Sequence, residues 1–334
     1  MAVPSTIAAA LLAAAVFLPS GSLDRAQVNE PPRFRGVNLA SAEFAPEKLP
    51  GVAGKDYIYP NKATAAPFAA MGMTSIRLPI LWERIQPKPF ASLDEAELAR
   101  LDASLADLTG FRQVIIGIHN YGRYHGQPLQ SADALADLWT RLATRYKDRP
   151  QIAFGMMNEP HDIRATRWRT VAEGTLAAIR RTGAKNLVLV PGANWTGGHS
   201  WFGGGDGPNS EAMAGLADPA NNFAYEIHQY LDDDSSGSKP GCRGKRIGRE
   251  RLERVTGWLR DRGAHAVLGE FGGDSSPTCL AALDDLLVYL RDNGDVWIGW
   301  NYWAAGDWWG DYPLSIQPKD GKERPQATVL RKYL

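Results

Sequence analysis

The sequence predicts an α/β protein, a single (β/α)8 TIM-type barrel with parallel strands. Short apolar segments rich in β-formers recur eight times along the chain, and amphipathic helical patterns lie between them. Segments that are apolar nearly throughout, such as VIIGIH, are typical of parallel strands buried on both faces. Eight such strands alternating with helices over about 300 residues are the pattern of one barrel. The main alternative is a doubly wound open sheet, but no GxGxxG turn follows the first strand.

The elements are predicted in chain order. The predicted strands are Phe34–Ala40, Met73–Ile80, Gln113–Tyr121, Ile152–Glu159, Asn186–Trp195, Asn222–Tyr230, His265–Gly272 and Val296–Ala304. Helices are predicted at Thr64–Met71, Leu93–Leu108, 131–146, Arg164–Arg181, Arg249–Arg262 and 276–294. Ser131 is a candidate N-cap, and Ser276-Pro277 is typical of an N-cap followed by proline at the first helical position.

Composition narrows the classes of function. The chain has 334 residues, of which 44% are hydrophobic and 22% are charged, as in a folded protein with a sizeable core. Its 37 basic and 37 acidic residues cancel. Because no overall field favours a polyanion or a membrane surface, we expect no nucleic-acid partner. Neither a cofactor nor a metal site is predicted, and the two cysteines form no CxxC pair.

The N-terminus resembles an export signal. Ile7–Leu18 is a continuous apolar run of signal-peptide length, too short for a membrane span. We predict a signal peptide over residues 1–26, the barrel domain over 27–334, and a secreted or periplasmic protein. No Lys or Arg precedes the run, so a start that is not a signal is the alternative. No later apolar run is long enough to cross a bilayer.

The two cysteines are Cys242 and Cys279. In an exported protein such a pair can form one disulfide, whereas in the cytosol both would be free thiols. We predict the disulfide, joining the loop after the sixth strand to the helix after the seventh.

Polar and aromatic residues stand repeatedly where an apolar strand stops. They are Arg77, His119, Asn120, Asn158, Glu159, His228, Tyr230, Glu270 and Trp303. Each signal is weak alone, since an isolated buried histidine is more often structural than catalytic. In a barrel, however, all these strand ends meet on one rim, which is where active sites of this fold lie.

Two of these residues are carboxylates on the fourth and seventh strands. Facing each other across a polar cleft, Glu159 and Glu270 suit glycosidic bond cleavage, in which one group protonates the leaving oxygen and the other attacks. Arg77 could keep the attacking carboxylate ionised, because a nearby positive charge lowers a carboxylate pKa. The supporting roles are expected as follows: His228 and Tyr230 orient the carboxylates, Asn158 binds the sugar 2-hydroxyl, and His119 binds other hydroxyls.

Tryptophan is frequent, with 11 copies. Five follow strand ends: Trp195, Trp201, Trp303, Trp308 and Trp309. Flat aromatic faces stack on pyranose rings, so this placement favours a sugar substrate. On the helices we expect core packing instead, for Trp139, Trp168 and Trp258.

Taken together the motifs resemble glycoside hydrolase family 5. They are RGVN (Arg35–Asn38), IRLP (Ile76–Pro79), IHNY (Ile118–Tyr121), MNEP (Met157–Pro160), HQYLD (His228–Asp232), GEFG (Gly269–Gly272) and Trp303. The likeness is strongest to the fungal-type endoglucanases, through HQYLDDDSSG, GEFGGDSSPTC and WNYWAAGDWWGDY. The resemblance implies a retaining β-1,4-glucanase with Glu159 as acid/base and Glu270 as nucleophile. It also carries over Arg77, His119, Asn158, His228, Tyr230 and Trp303 as the surrounding site. We expect a monomer that acts on β-1,4-glucan.

Three alternatives stay open at this point. A related β-glycanase would act on mannan, xyloglucan or mixed-linkage glucan with the same core site. A non-catalytic carbohydrate-binding barrel would lack a catalytic carboxylate, and both are present. A metal-dependent hydrolase would cluster its histidines and carboxylates as ligands.

Overall fold

A computed structural model describes residues 1–2, 31–40 and 42–334. Apart from residues 1–2, the predicted signal peptide therefore lies outside the described residues. Within the described part of the chain, none of the helices combines the length and the apolar character needed to cross a membrane.

Eight parallel strands close into a barrel, as predicted. They are β1 (Phe34–Leu39), β2 (Ser75–Ile80), β3 (Gln113–Ile118), β4 (Ile152–Gly155), β5 (Val188–Pro191), β6 (Phe223–His228), β7 (Ala266–Glu270) and β8 (Trp297–Ala305). Each strand pairs with its neighbours in sequence, and β1 closes the barrel by pairing with β8. Most of these strands are buried at every position, which explains why their sequences are apolar without alternation.

Helices cover the outside of the barrel. They are α1 (Lys62–Met71), α2 (Trp82–Ile85), α3 (Glu95–Asp107), α4 (Asp133–Tyr146), α5 (Ala165–Arg181), α6 (Asn209–Ala212), α7 (Ile247–Arg260), α8 (Pro277–Asp292) and α9 (Pro325–Leu330). Ser276 caps α8 as predicted, because its side chain accepts from the Cys279 amide. The predicted cap at Ser131 is wrong: α4 begins one residue later, after Ala132, with no side-chain cap.

The barrel interior is apolar in its lower part, towards the N-terminal ends of the strands. The side chains there are Ile115, Ala153, Leu187, Leu189, Ala224, Val267 and Ile298, packed with Phe34. They form a small cluster separate from the larger core between strands and helices. Inward side chains alternate along each strand, and towards the C-terminal ends β1, β2 and β6 carry the polar groups Asn38, Arg77 and Glu226, with Asn38 paired with Arg77 between β1 and β2. The packed lower layer thus supports a polar site above it.

The predicted disulfide is present between Cys242, in the loop after β6, and Cys279, in the first turn of α8. The two Cα atoms are 5.1 Å apart and the bond closes a loop of 37 residues. It links the segments that follow His228 and Glu270.

Replacing both cysteines by serine should lower the free energy of unfolding. Closing a loop of this length restricts the unfolded chain by about 3–4 kcal/mol, less any native strain. Guanidinium unfolding of the purified double variant, compared with the oxidised wild type, measures the difference. The reduced wild type is the matched control, and an equal stability of oxidised and reduced protein would contradict the prediction.

Candidate active site

Arg77 occupies the centre of the polar layer and is 1% exposed. Its guanidinium donates hydrogen bonds to four side chains from four different segments. The acceptors are Glu226 at 2.8 Å, Asn38 at 2.8 Å, Glu270 at 2.9 Å and Asn158 at 2.8 Å. A buried guanidinium needs acceptors that compensate for the water it has lost. Because the group is planar, its N–H donors hold those acceptors at defined angles. Arg77 therefore positions the C-terminal ends of β1, β4, β6 and β7 relative to one another.

Glu159 and Glu270 face each other above Arg77. One oxygen of each carboxylate and one ring nitrogen of His228 lie within 4.8 Å of one another. Tyr230 donates its hydroxyl to Glu270 Oε2 at 2.7 Å, so both oxygens of Glu270 accept hydrogen bonds. His228 Nδ1 lies 2.7 Å from Glu159 Oε1 and 3.6 Å from Glu270 Oε2. The structure thus brings the two predicted carboxylates and their expected partners together.

Burial and charge oppose each other at this cluster. Burial raises the pKa of the Glu270 carboxyl, and the charges of His228 and Arg77 and the Tyr230 hydroxyl act against that rise. Burial alone would lower the pKa of His228, but the Glu270 charge and hydrogen bonds to Glu159 and Glu226 raise it to about 9. Sequence reasoning anticipated the charge of Arg77 beside the carboxylate but not the cost of desolvation. The facing carboxylates therefore favour the imidazolium form of His228.

Glu159 lies beyond the end of β4 on a segment that is no longer regular strand. Its backbone φ is +41°, in the left-handed region that non-glycine residues seldom adopt. The strand ladder still holds the segment, because the Asn158 amide donates to the Ile118 carbonyl at 2.6 Å. Such strain at a carboxylate that is only 16% exposed is typical of functional positions.

An aromatic row crosses the mouth of the barrel beside the carboxylates. In order it comprises Trp195, His161, Tyr121, His119, Trp303, Trp309, Phe44 and Trp308. Neighbouring ring centroids are 4.5 to 6.3 Å apart. The ends of the row are open to solvent, with Trp195 49% and Trp308 41% exposed, whereas Trp303 in the middle is 9% exposed. Its members lie in or after β5, β4, β3, β8 and β1, so the row crosses the rim on which both carboxylates lie.

Trp195 is held on a strained turn. It and its two neighbours, Asn194 and Thr196, have φ values of +55°, +52° and +49°. Hydrogen bonds from the two flanking side chains stabilise the turn. Thr196 donates to the Glu226 carbonyl, and Asn194 donates to the carbonyls of Gly203 and Gly207. The predicted role of Trp201 is wrong. It is fully buried and packs edge-on against Tyr225 of β6 and Trp258 of α7.

His119 and Asn120, which are adjacent in sequence, have different surroundings. His119 stacks on Trp303, and burial followed by the Arg77 charge lowers its pKa well below 6.5, so it is neutral. Asn120 turns away from the carboxylates, accepting from the Trp82 amide and donating to Glu83, and so it supports α2. The tryptophans on the helices are buried, as predicted: Trp139, Trp168 and Trp258.

Sequence reasoning missed two members of the site, Asn38 and Glu226. Asn38 accepts from Arg77 and donates to the Gly269 carbonyl at 2.9 Å. Glu226 lies two residues before His228 on β6. Residues two apart on a strand share a face, so the spacing of Glu226, His228 and Tyr230 is a signal that could have found it.

Glu159, His228 and Glu270 could also hold a metal ion by their atom types and spacing. Their charges are already compensated, however. Arg77 contacts Glu270, and His228 lies between the two carboxylates. A divalent cation here would be only a few ångströms from a guanidinium in a buried site, an arrangement that repulsion disfavours.

Comparison with known proteins identifies the relatives of this chain. The family description "Cellulase (glycosyl hydrolase family 5)" matches residues 29–306. An endo-beta-1,4-glucanase B of Aspergillus niger is 38% identical over 330 residues, which are 98% of this chain and 97% of that protein. Among solved structures, an endo-beta-1,4-glucanase from Xanthomonas axonopodis pv. citri superposes with a TM-score of 0.88 at 44% identity, covering 90% of this chain and 98% of that one. XacCel5A, solved in complex with cellopentaose, gives 0.89 at 47% identity, covering 91% and 99%.

A parallel barrel with this rim and these relatives is a glycoside hydrolase. The chain belongs to glycosyl hydrolase family 5, the cellulase family, and the predicted resemblance is confirmed.

Proposed function

We propose that the protein is an endo-acting β-1,4-glucanase that retains anomeric configuration by double displacement. Glu270 is the nucleophile and Glu159 the general acid and base. The barrel forms the catalytic domain, residues 27–334.

The single observation that carries the mechanism is the short separation of the two carboxylates. Oxygens of Glu159 and Glu270 lie within 4.8 Å. A retaining enzyme needs about 5–5.5 Å between its carboxyl groups, whereas an inverting enzyme needs about 6.5–9.5 Å to admit a water. The spacing supports direct attack on the anomeric carbon.

Hydrogen bonding supports the division of roles. Both oxygens of Glu270 accept from Arg77 and Tyr230, which favours its ionised form. In the proposed reaction the other carboxylate, Glu159, which lies 2.7 Å from His228 Nδ1, is the proton donor of the first step. Glu159 also is the more exposed of the two.

The reaction then proceeds in two balanced steps. In the first, Glu270 attacks the anomeric carbon, the glycosidic bond breaks, and the leaving oxygen takes the proton of Glu159. In the second, Glu159 takes a proton from water, the resulting hydroxide attacks the same carbon, and the bond to Glu270 breaks. Asn158, which accepts a hydrogen bond from Arg77, binds the sugar 2-hydroxyl in this proposal.

The aromatic row supports an internal stretch of polymer as substrate. It runs from Trp195 after β5 to Trp308 after β8, across the rim that carries both carboxylates, which suits a chain with sugars before and after the cleaved bond. The similarity to endo-beta-1,4-glucanases, and to XacCel5A in its complex with cellopentaose, supports β-1,4-linked glucose.

A polysaccharide panel tests the proposed function. Reducing ends should appear fastest from carboxymethylcellulose, compared with β-mannan, xyloglucan and mixed-linkage glucan. Viscosity should fall faster than reducing ends appear, because internal cuts shorten the chain most. NMR of the first product should show the β-anomer. A preference for mannan would overturn the substrate, and an α-anomer would overturn the retaining mechanism.

Replacing Trp303 by Ala should lower kcat strongly and change KM only slightly, because Trp303 lies on the strand adjacent to that of Glu270 at the rim. Replacing Trp308 by Ala should instead raise KM for long chains and leave short substrates unaffected. Stacking on an aromatic face contributes about 0.5–1.5 kcal/mol beyond area burial, so about a threefold to tenfold rise is expected. Steady-state kinetics on cello-oligosaccharides of increasing length measure both. Equal effects of the two variants at every length would contradict the proposed row.

We expect EDTA to leave the rate on soluble cellulose unchanged, because the Arg77 and His228 charges already balance the carboxylates. The check is the initial rate before and after dialysis against EDTA. A loss that one added divalent metal restores would point to a metal-dependent mechanism.

Export is part of the proposal. The apolar run within residues 1–26 supports a cleaved signal peptide and a secreted or periplasmic enzyme. Sequencing the N-terminus of the mature protein tests it, with cleavage expected between Ser20 and Gln27.

A further inference from the structure

Glu226 is a third carboxylate beneath the site, and the proposed double displacement does not use it. It lies near the end of β6 and is 1% exposed. Its Oε1 accepts from Arg77 Nε at 2.8 Å and lies 3.4 Å from His228 Nε2. It is too deeply buried to touch a sugar. A buried carboxylate carries a large desolvation cost, so its presence requires a reason.

The ring of His228 lies between two carboxylates. Nδ1 faces Glu159 and Nε2 faces Glu226. A neutral imidazole carries one N–H and could donate to only one of them, whereas an imidazolium donates to both. The Glu226 carboxylate thus favours protonation of Nε2 in the ring that contacts Glu159.

Charge balance agrees with the geometry. The groups that face this cluster are Arg77 from β2, His119 from β3, Glu159 after β4, Glu226 and His228 from β6, Tyr230 after β6, and Glu270 from β7. Two cationic groups, Arg77 and His228, each face the carboxylates of both Glu226 and Glu270. Without the Glu226 charge, each of them would lose one of the buried carboxylates that it faces.

We propose that Glu226 is a positioning residue: a buried anion that keeps His228 doubly protonated and oriented towards Glu159, and that fixes Arg77 against Glu270. This inference rests on the roles proposed for Glu159 and Glu270. Glu226 plays the part that an orienting carboxylate plays behind a catalytic or metal-bound histidine in other enzymes.

The backbone around Glu226 is shaped for the carboxylate. Gly269, on the neighbouring strand β7, has no Cβ; one there would lie 2.5 Å from Glu226 Oε1, and its other close neighbours are atoms of the same side chain. Glycine at this position leaves room for the carboxylate beside Arg77. A methyl group would displace the carboxylate without removing its charge.

The test is Glu226→Gln, which keeps the shape and removes the charge. We expect kcat on soluble cellulose to fall about 10- to 100-fold, as for other residues that orient a reacting group, with a much smaller change in KM. The alkaline limb of kcat/KM should move to lower pH. Facing carboxylates raise the pKa of His228 to about 9, so removing one lets the imidazolium lose its proton at lower pH.

Two variants separate positioning from mere stability. Glu226→Asp keeps the charge, so the alkaline limb should stay near its wild-type position even if kcat falls. Asp218→Asn removes another buried carboxylate, paired with Arg180 at 2.7 Å beside the first residues of β6 at the other end of the barrel. It should reduce stability and leave the pH profile unchanged.

A second measurement does not depend on activity. Nitrogen-15 NMR of the His228 ring at neutral pH should show two protonated nitrogens in the wild type and one in Glu226→Gln. If Glu226→Gln does not fold, Gly269→Ala takes its place and should lower kcat by displacing the carboxylate. Wild-type kcat and an unmoved alkaline limb in the folded variant would overturn this inference and leave the proposed function intact. A wild-type protein that cleaves no β-glucan would overturn the proposed function, whereas the NMR result would still decide the state of His228.

Discussion

Glu270→Ala should lower kcat on soluble cellulose by on the order of 10⁴- to 10⁶-fold, the largest loss expected of any single change in this protein. Without the carboxylate no covalent intermediate can form, and a water in its place is a far weaker nucleophile. The variant should still bind cello-oligosaccharides, because the aromatic row is unchanged.

Added azide gives this prediction its sharpest test. Azide can occupy the space of the lost carboxylate and attack the anomeric carbon from the same side. With an activated aryl cellobioside, Glu270→Ala plus azide should therefore produce the α-glycosyl azide, the product of a single inversion. A β-azide would mean that the nucleophile is intact and that Glu270 has another role.

Glu159→Gln should lower kcat on soluble cellulose by about 10²- to 10⁴-fold, the range that a general acid contributes. A poor leaving group such as a sugar hydroxyl needs a proton as its bond breaks. A dinitrophenyl cellobioside does not, so the rate of its first step should be nearly unchanged. A burst of dinitrophenol followed by slow turnover is expected, because Glu159 must also activate water in the second step.

The matched control for the second prediction is Glu159→Ala with azide. Here the covalent intermediate forms on Glu270 and azide attacks from the opposite side, so the product should be the β-glycosyl azide. Opposite anomers from the two alanine variants would fix both roles in one experiment. Equal losses of Glu159→Gln on cellulose and on the aryl substrate would show that it is not the acid.

The pattern of the strands determined the fold. Most barrel strands are buried on both faces, so a few consecutive apolar residues are enough to predict each of them. No knowledge of residues far away in the sequence is needed. The eight strands were therefore predicted, with their ends extended by a few residues where the chain leaves the ladder, as at Glu159. The site followed from the same logic, because the rule that strand ends meet on one rim holds for every parallel barrel. The disulfide between Cys242 and Cys279 could be predicted because the two cysteines are the only pair in the sequence and follow neighbouring strands.

Local pattern could not distinguish which strand-end residues face the cleft. Trp195 and Trp201 lie six residues apart after the same strand, yet one is exposed on a left-handed turn and the other is buried against α7. Asn120 follows His119 directly and faces α2. Such choices depend on the path of the following loop, which is set by packing against other elements.

What the sequence by itself determined is the barrel and the two facing glutamates at its aromatic rim, since each depends on residues in or directly after the predicted strands. Only the tertiary structure decided how those groups are charged. Arg77 reaches Glu226 across 149 residues of chain and Glu270 across 193. Whether His228 is an imidazolium depends on carboxylates from β6, from β7 and from the segment after β4, together with their burial. Electrostatic energy in a desolvated site is a sum over all groups within a few ångströms, and only the closed barrel determines which groups those are.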